Sequence, residues 1–178
     1  MAQTLSIREI KNSEYALLGD LTVTVYSKLD GFPSPTEQPD YYVTLSNIGS
    51  LNEQLYTQVL VAENSENEIV GGVVYYSDMS AYGSGGIATQ EQEASGIRLL
   101  SVHPESAGMG VGSALTNECI RRAKESGNKQ VILHTTQVMD IAWRLYEKTG
   151  FKRSPDLDFS QQGFPVYGFR LMLNNEKH

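Results

Sequence analysis

Leu99-Leu100-Ser101-Val102-His103-Pro104-Glu105-Ser106-Ala107-Gly108-Met109-Gly110-Val111-Gly112-Ser113-Ala114-Leu115 is an apolar, β-rich run that enters a turn with glycine at every second position and leaves it as an amphipathic helix. Glycine allows positive φ and removes the Cβ that would hold a ligand off the backbone. The N–H groups at a helix start lack intrahelical partners, and the helix dipole adds partial positive charge there. A strand, such a turn and a helix together make an anion site, and diphosphate is the guest it suits. Two known phosphate loops do not fit. The Walker loop requires the lysine and hydroxyl that end G-x-x-x-x-G-K-[ST], and neither stands in place here. The dinucleotide fingerprint requires G-x-G-x-x-G and an acidic residue about 20 residues on. This loop reads G-x-G-x-G, and the next apolar run ends in His134. A glycine-rich turn without a ligand is the competing reading of the loop taken alone.

Downstream, residues 108–126 carry the helical pattern, with Gly127 as the C′ residue. Residues 130–134 predict a short strand, residues 138–149 a helix stopped by Gly150, and Phe151 opens a further extended stretch. Residues 166–173 predict a closing strand. Upstream, residues 97–102 read as a strand, while residues 58–62 and 69–76 flank a polar, acidic segment in the pattern of a hairpin. Residues 78–95 are polar and glycine-rich with no helical stripe, and a connection of that length is usually a functional lid or disordered. Near the start, residues 4–10 alternate as a first strand and Asn12-Ser13-Glu14 is a helix-start signal. The stripe that follows is weakened by the β-branched run Thr22 to Val25. Residues 31–40 hold three prolines and form a loop, and residues 41–55 recover a helical pattern broken near Gly49. The order β-α-α-β-β-β-α-β-α-β-β predicts an α/β (α+β) fold with a mixed rather than wholly parallel sheet. No composition break divides the chain, so residues 1–178 are expected to form one domain.

Two motifs within this frame resemble those of the GNAT family of N-acetyltransferases. Motif A of that family, V-x-P-x-x-[QR]-x-x-G-x-[GA], maps onto Val102, Pro104, Ala107, Gly110 and Gly112. The second, A-x-x-[LF]-Y-x-x-x-G-F, matches Ala142, Leu145, Tyr146, Gly150 and Phe151. The resemblance implies the GNAT fold: a mixed, mostly antiparallel central sheet of about six to seven strands flanked by helices, splayed between two central strands. It also implies acetyl-CoA as co-substrate. The diphosphate would lie on backbone N–H groups of Gly108, Met109, Gly110, Val111, Gly112 and Ser113. The pantetheine arm would pair with the backbone of Leu100, Ser101 and Val102, where the sheet splays from residues 130–134, with Met139 and Ala142 on the helix beside it. Two residues depart from the family. Ala107 stands where relatives carry Gln or Arg, and Met139 where many carry an Asn that reaches the arm.

Acetyl transfer to an amine needs a base to free the nitrogen lone pair and an acid for the departing thiolate. The resemblance makes Tyr146 the acid, against the alternative of an aromatic core residue beside Ala142 and Leu145. Relatives often place a base glutamate on the central strand, but Gly96 occupies that position, which leaves Glu93, just upstream, as the candidate. The acceptor site is expected from residues 31–42, 78–95 and 155–165, where Phe32, Tyr41, Tyr42, Tyr82, Phe159 and Phe164 stand near Asp40, Asp78, Asp156 and Asp158. Carboxylates beside aromatic faces would suit a cationic amine. The expected partner is therefore a small-molecule or peptide amine. The expected function is acetyl-CoA-dependent N-acetyltransfer to that amine, and the alternative is a catalytically inactive CoA-binding sensor or interaction module. O-acylation and longer acyl groups stay open.

Composition narrows the field further. With a net charge of −7 and no basic patch, neither nucleic acid nor an anionic membrane is an expected partner. The densest basic group, Arg121, Arg122 and Lys124, shares its helix with Glu118 and Glu125. Cys119 is the only cysteine and His103, His134 and His178 are scattered, so neither a disulfide nor a metal site is expected. The start shows no basic or apolar targeting region, which makes a cytoplasmic location the expectation. The last strand could complete the sheet or exchange between subunits of a homodimer.

Overall fold

The computed structural model describes residues 4–173. Its β-rich runs become β1 (Ser6–Glu9), β2 (Thr57–Glu63), β3 (Ile69–Tyr76), β4 (Ala94–Val102), β5 (Gln130–Thr135), β6 (Lys152–Arg153), β7 (Phe159–Gln161) and β8 (Phe164–Met172). They form an eight-stranded sheet in the order β1-β2-β3-β4-β5-β8-β6, with β7 on β8. Every pairing is antiparallel except that of β4 with β5. The fold is thus the mixed, mostly antiparallel one expected, with one strand more than the expected range because β6 and β7 are very short. The last strand completes the sheet within the chain, pairing with β5 from Thr135↔Tyr167 to Gln130↔Met172.

Helices cover both faces. On β2, Val59 and Val61 point to the face of α1 (Tyr15–Ser27) and α2 (Pro39–Ser46), and Leu60 and Ala62 to the face of α3 (Val111–Glu125) and α4 (Asp140–Thr149). Period-2 alternation sorts the strand residues between the two cores. A Cβ on Gly71 would meet Val111 Cγ1 at 2.7 Å and one on Gly72 would meet Leu18 Cδ1 at 2.6 Å, so α3 and α1 press onto β3 from opposite sides. Cys119 is fully buried in the α3 core, and that burial pushes its thiol pKa up, as befits a packing residue.

Several boundaries differ from the sequence reading for physical reasons. The β-branched run Thr22 to Val25 stays helical, with Thr22 Oγ1 donating to Leu18 O at 2.8 Å; packing against α2 and the sheet overrides propensity. The helix expected from residue 108 starts at Val111, because Gly108 and Gly110 are left-handed (φ +78° and +84°). At its other end Gly127 N–H donates to Lys124 O and Asn128 N–H to Ala123 O, the paired bonds of a Schellman stop. Residues 78–95 are neither lid-like nor disordered: two short 3-10 turns, Met79–Ala81 and Ala88–Gln90, bury Met79, Tyr82 and Ala88 in the α1 core. Among the described residues no helix is long and apolar enough to cross a membrane.

The feature that positions the site is a parting of strands. β4 and β5 pair only from Ala94↔Gln130 to Ile97↔Leu133. Beyond that, β4 carries a bulge: Arg98 to Ser101 spans the same length as Val74 to Gly72 on β3. Leu99 sits at its centre with φ +60°, an unusual conformation for a branched residue, held in place by burial. The bulge turns β4 away while β5 continues with β8, and a cleft opens between them.

Candidate functional site

Two cavities meet at this cleft. The larger, about 520 Å³, runs along Leu100, Ser101 and Val102 between the end of α1, the glycine loop and the start of α4. At Gly108 and Gly110 a Cβ would meet nothing within 4 Å, so these glycines leave open backbone rather than accommodating a packed neighbour. Gly112 has a different task, since a Cβ there would lie 3.0 Å from Leu145 Cδ2 where α3 meets α4. Gly110 is the N-cap of α3 and offers no side-chain cap, so the first-turn N–H groups are free of that competition. The donors suit a diphosphate, and the apolar channel along β4 suits the arm that CoA carries. CoA thus fits this groove by the chemistry of its walls.

Of the residues expected to hold CoA, Leu100, Ser101, Val102, Ala107, Gly108, Gly110, Val111, Gly112, Ser113, Met139 and Ala142 all line this groove. Met109 is not among the lining residues and its side chain is half exposed. The Ser101 hydroxyl turns toward α1, 3.4 Å from Thr22 Oγ1, which leaves its backbone to the groove.

The second cavity, about 110 Å³, shares Tyr26 and Met139 with the first. The three expected loops supply much of it, through Phe32, Tyr41, Tyr82, Phe159 and Phe164. The expected carboxylates do not. Asp78 accepts from Ser80 N, Asp156 pairs with Arg170, and Asp158 pairs with Arg153 and accepts from Gly168 N; Asp40 is exposed at the start of α2. Among the described residues no acidic side chain lines the cavity, and its one charged residue is Arg98. Tyr42 is spent on structure, its hydroxyl donating to Pro33 O at 2.7 Å.

At the cavity wall, the Tyr82 hydroxyl lies 2.9 Å from His134 Nδ1, and His134 Nε2 lies 2.9 Å from Leu157 O. A carbonyl only accepts, so Nε2 carries the proton and Nδ1 accepts from Tyr82. Burial lowers the His134 pKa; Arg98 pulls the same way, while the Leu157 carbonyl and Asp158 oppose. The ring is therefore neutral and basic at Nδ1 around pH 7. Burial raises the phenols of Tyr26, Tyr82 and Tyr146, and Tyr146 lies close enough to add to the rise in the other two. Tyr26 donates to Leu100 O at 3.0 Å, whereas Tyr146 is buried in the α3 core, lines neither cavity, and its hydroxyl has no hydrogen-bond partner among the described residues.

Glu93 lies elsewhere. Its carboxylate is 61% exposed, 3.1 Å from Lys129 Nζ, and lines neither cavity. The reason shows at Gly96, where a Cβ would come within 2.4 Å of the Tyr82 ring and 2.8 Å of Met79 Sδ. Tyr82 fills the space a strand glutamate would need, and its hydroxyl points on to His134. Sequence reading passed over His134 and Arg98. His134 stands near the carboxyl end of the parallel strand β5, where ligands of open sheets gather, and Arg98 is a lone charge in the apolar run Ile97 to Leu100. Among the described residues no three His, Cys, Asp or Glu side chains lie together as a metal would require.

The sequence model of the "Acetyltransferase (GNAT) family" matches residues 22–151. No curated protein matches the chain in sequence. Among solved structures, an acetyltransferase of the GNAT family from Staphylococcus aureus Mu50 superposes with a TM-score of 0.71 at 18% identity, over 96% of this chain and 100% of that one. PaiA N-acetyltransferase from Thermoplasma acidophilum, in complex with coenzyme A, gives 0.70 at 14%, over 93% and 98%. YncA from Salmonella typhimurium, with its cofactor acetyl-CoA, gives 0.69 at 15%, over 98% and 96%. At such identities the likeness is one of fold.

Proposed function

The chain belongs to the GNAT acetyltransferase family, and from that premise we propose that it moves the acetyl group of acetyl-CoA onto the primary amine of a small molecule, amino acid derivative or peptide. The observation that carries this is the shared wall of the two cavities. Tyr26 and Met139 border both, so the glycine-loop groove and the cavity of the Tyr82–His134 pair abut. PaiA and YncA were solved with coenzyme A and acetyl-CoA, and acetyl-CoA bound here would supply a thioester acyl group to the amine and leave a free thiol.

The chain's own residues handle the protons. The ammonium's proton passes to Tyr82 Oη while Tyr82's own proton moves to His134 Nδ1 and on to solvent, which frees the lone pair for attack; the proton left surplus in the adduct then follows the same relay. The neutral ring, held by Leu157 O, is oriented to receive it. Tyr146, kept protonated by burial, gives its phenolic proton to the departing sulfur and regains one from solvent. Tyr146→Phe should lower turnover by more than about tenfold with acetyl-CoA affinity nearly unchanged. Its hydroxyl has no partner among the described residues, so the substitution should leave the melting temperature in place. Unchanged turnover would remove Tyr146 from the reaction.

The function is tested by thermal unfolding with and without acetyl-CoA, followed by thiol release across an amine panel. Cofactor at a hundred times its dissociation constant stabilises by about 2.7 kcal/mol. For a chain of this size that raises the midpoint by roughly 5–11 °C. No rise at millimolar acetyl-CoA would overturn the proposal. A rise with no thiol release for any amine would leave a CoA-binding module without transferase activity.

A further inference from the structure

We infer that the acceptor is an amine bearing a carboxylate a short distance from its nitrogen, as in an α-amino acid, and that Arg98 reads that carboxylate. The inference names the substrate class of the acetyl-transfer site and rests on that reading of it. Arg98 stands half-buried on β4, one residue before the bulge, and lines the smaller cavity. Its Nη1 donates to Tyr82 O at 3.1 Å, and the guanidinium carbon lies 5.8 Å from the centre of the Tyr82 ring.

What sets Arg98 apart is its lack of a counter-ion. Arg8, Arg121, Arg122, Arg144, Arg153 and Arg170 each pair with a carboxylate. Arg98 alone among the described arginines has no carboxylate within the 4.0 Å of an ion pair, in a chain whose net charge is −7. Leaving a partly desolvated cation unpaired costs stability, and a planar fork of donors is matched best by two carboxylate oxygens. A second polar group lines the same cavity: Thr136 Oγ1 is buried with no hydrogen-bond partner among the described residues.

Size and spacing sharpen the class. About 110 Å³ walled by Phe32, Tyr41 and Phe164 admits one small molecule with an apolar portion. The guanidinium lies against the same tyrosine whose hydroxyl faces His134, so nitrogen and carboxylate must be close together in the acceptor. A diamine or polyamine would bring a second positive charge against Arg98, which disfavours that class.

The test compares L-alanine and L-valine with their carboxamides and with the decarboxylated amines, following thiol release from acetyl-CoA. In the unaltered protein the acids should exceed the amides in kcat/KM by about a hundredfold or more, because a site built for a polar group rejects the analogue lacking it. Arg98→Gln should collapse that ratio to below about tenfold, and Arg98→Lys, which keeps the charge without the fork, should fall between. Amides or plain amines used as well as the acids would overturn carboxylate recognition while leaving acetyl transfer standing. If no amine released thiol although acetyl-CoA still raised the melting temperature, the acetyl-transfer reading would fail instead. Calorimetry of the same amino acids with CoA present would then decide on Arg98: binding lost in Arg98→Gln upholds its role, and no binding to the unaltered protein overturns it.

Discussion

Gly110→Asp should weaken acetyl-CoA binding by about a hundredfold or more, a loss of about 2.7 kcal/mol, while the protein still folds. A Cβ at this position meets nothing within 4 Å, so the substitution costs no core packing. Its folding cost is the left-handed backbone, φ +84°, which burdens a residue other than glycine by about 1–2 kcal/mol. The midpoint should therefore fall by roughly 2–8 °C. The ligand loses far more. A carboxylate would project from the open face of the turn beside the unserved N–H groups of α3, repelling a diphosphate and competing for the same donors. Gly127→Asp is the matched control: its φ is +78° and its Cβ also meets nothing, but it lies at the far end of α3. It should lose somewhat more stability, because its carboxylate faces the negative end of the helix dipole, and no affinity. Titration calorimetry with acetyl-CoA checks both, and an affinity for Gly110→Asp within about threefold of the unaltered protein, under 1 kcal/mol, would show that the glycine loop does not hold the diphosphate.

His134→Gln should cut kcat/KM by about a hundredfold or more at neutral pH, at the lower end of what a positioned base contributes. The base matters more than the acid here. An alkyl ammonium holds its proton far above pH 7, whereas a thiolate leaves with a reference pKa of about 8.5. The pH dependence has a definite sign. Burial first, and Arg98 second, hold the His134 pKa below the ordinary 6.5, with Leu157 O and Asp158 opposing and Tyr82 donating to Nδ1. The unaltered enzyme should therefore lose kcat/KM as pH falls through that lowered value, and His134→Gln should lack this limb. Folding follows the same direction. Because the folded ring resists protonation, its neutral form favours the fold above pH 6.5 or so, and that contribution is lost as pH falls from the unfolded pKa toward the folded one. A pH profile whose acid limb survives the substitution would assign the base elsewhere.

The glycine-loop groove was readable from local sequence, and the smaller cavity beside it was not. Two glycines in a strand-turn-helix leave backbone donors open whatever surrounds them, so Gly108 and Gly110 could be assigned from order and spacing. The same holds for Gly127 and Gly150, which stop α3 and α4 where the helical stripes end. Glu93 and the loop aspartates illustrate the opposite case. Their charge suggested chemistry, but Lys129, Arg153 and Arg170 take up Glu93, Asp158 and Asp156 from other segments.

The sequence alone therefore determined the family, most of the order of strands and helices, and the open glycine turn before α3, because each rests on backbone geometry repeated over a few neighbouring residues. Tertiary structure decided the rest. Tyr82 and His134 are 52 residues apart in the chain, and they meet because Tyr82 packs over Gly96 of β4 where β4 pairs with β5. Arg98 stands out because no carboxylate among the described residues pairs with it, a property of the whole cavity that no local pattern encodes. Proton transfer and charge recognition depend on distances of a few ångströms between side chains, and those distances are set by how separate elements pack.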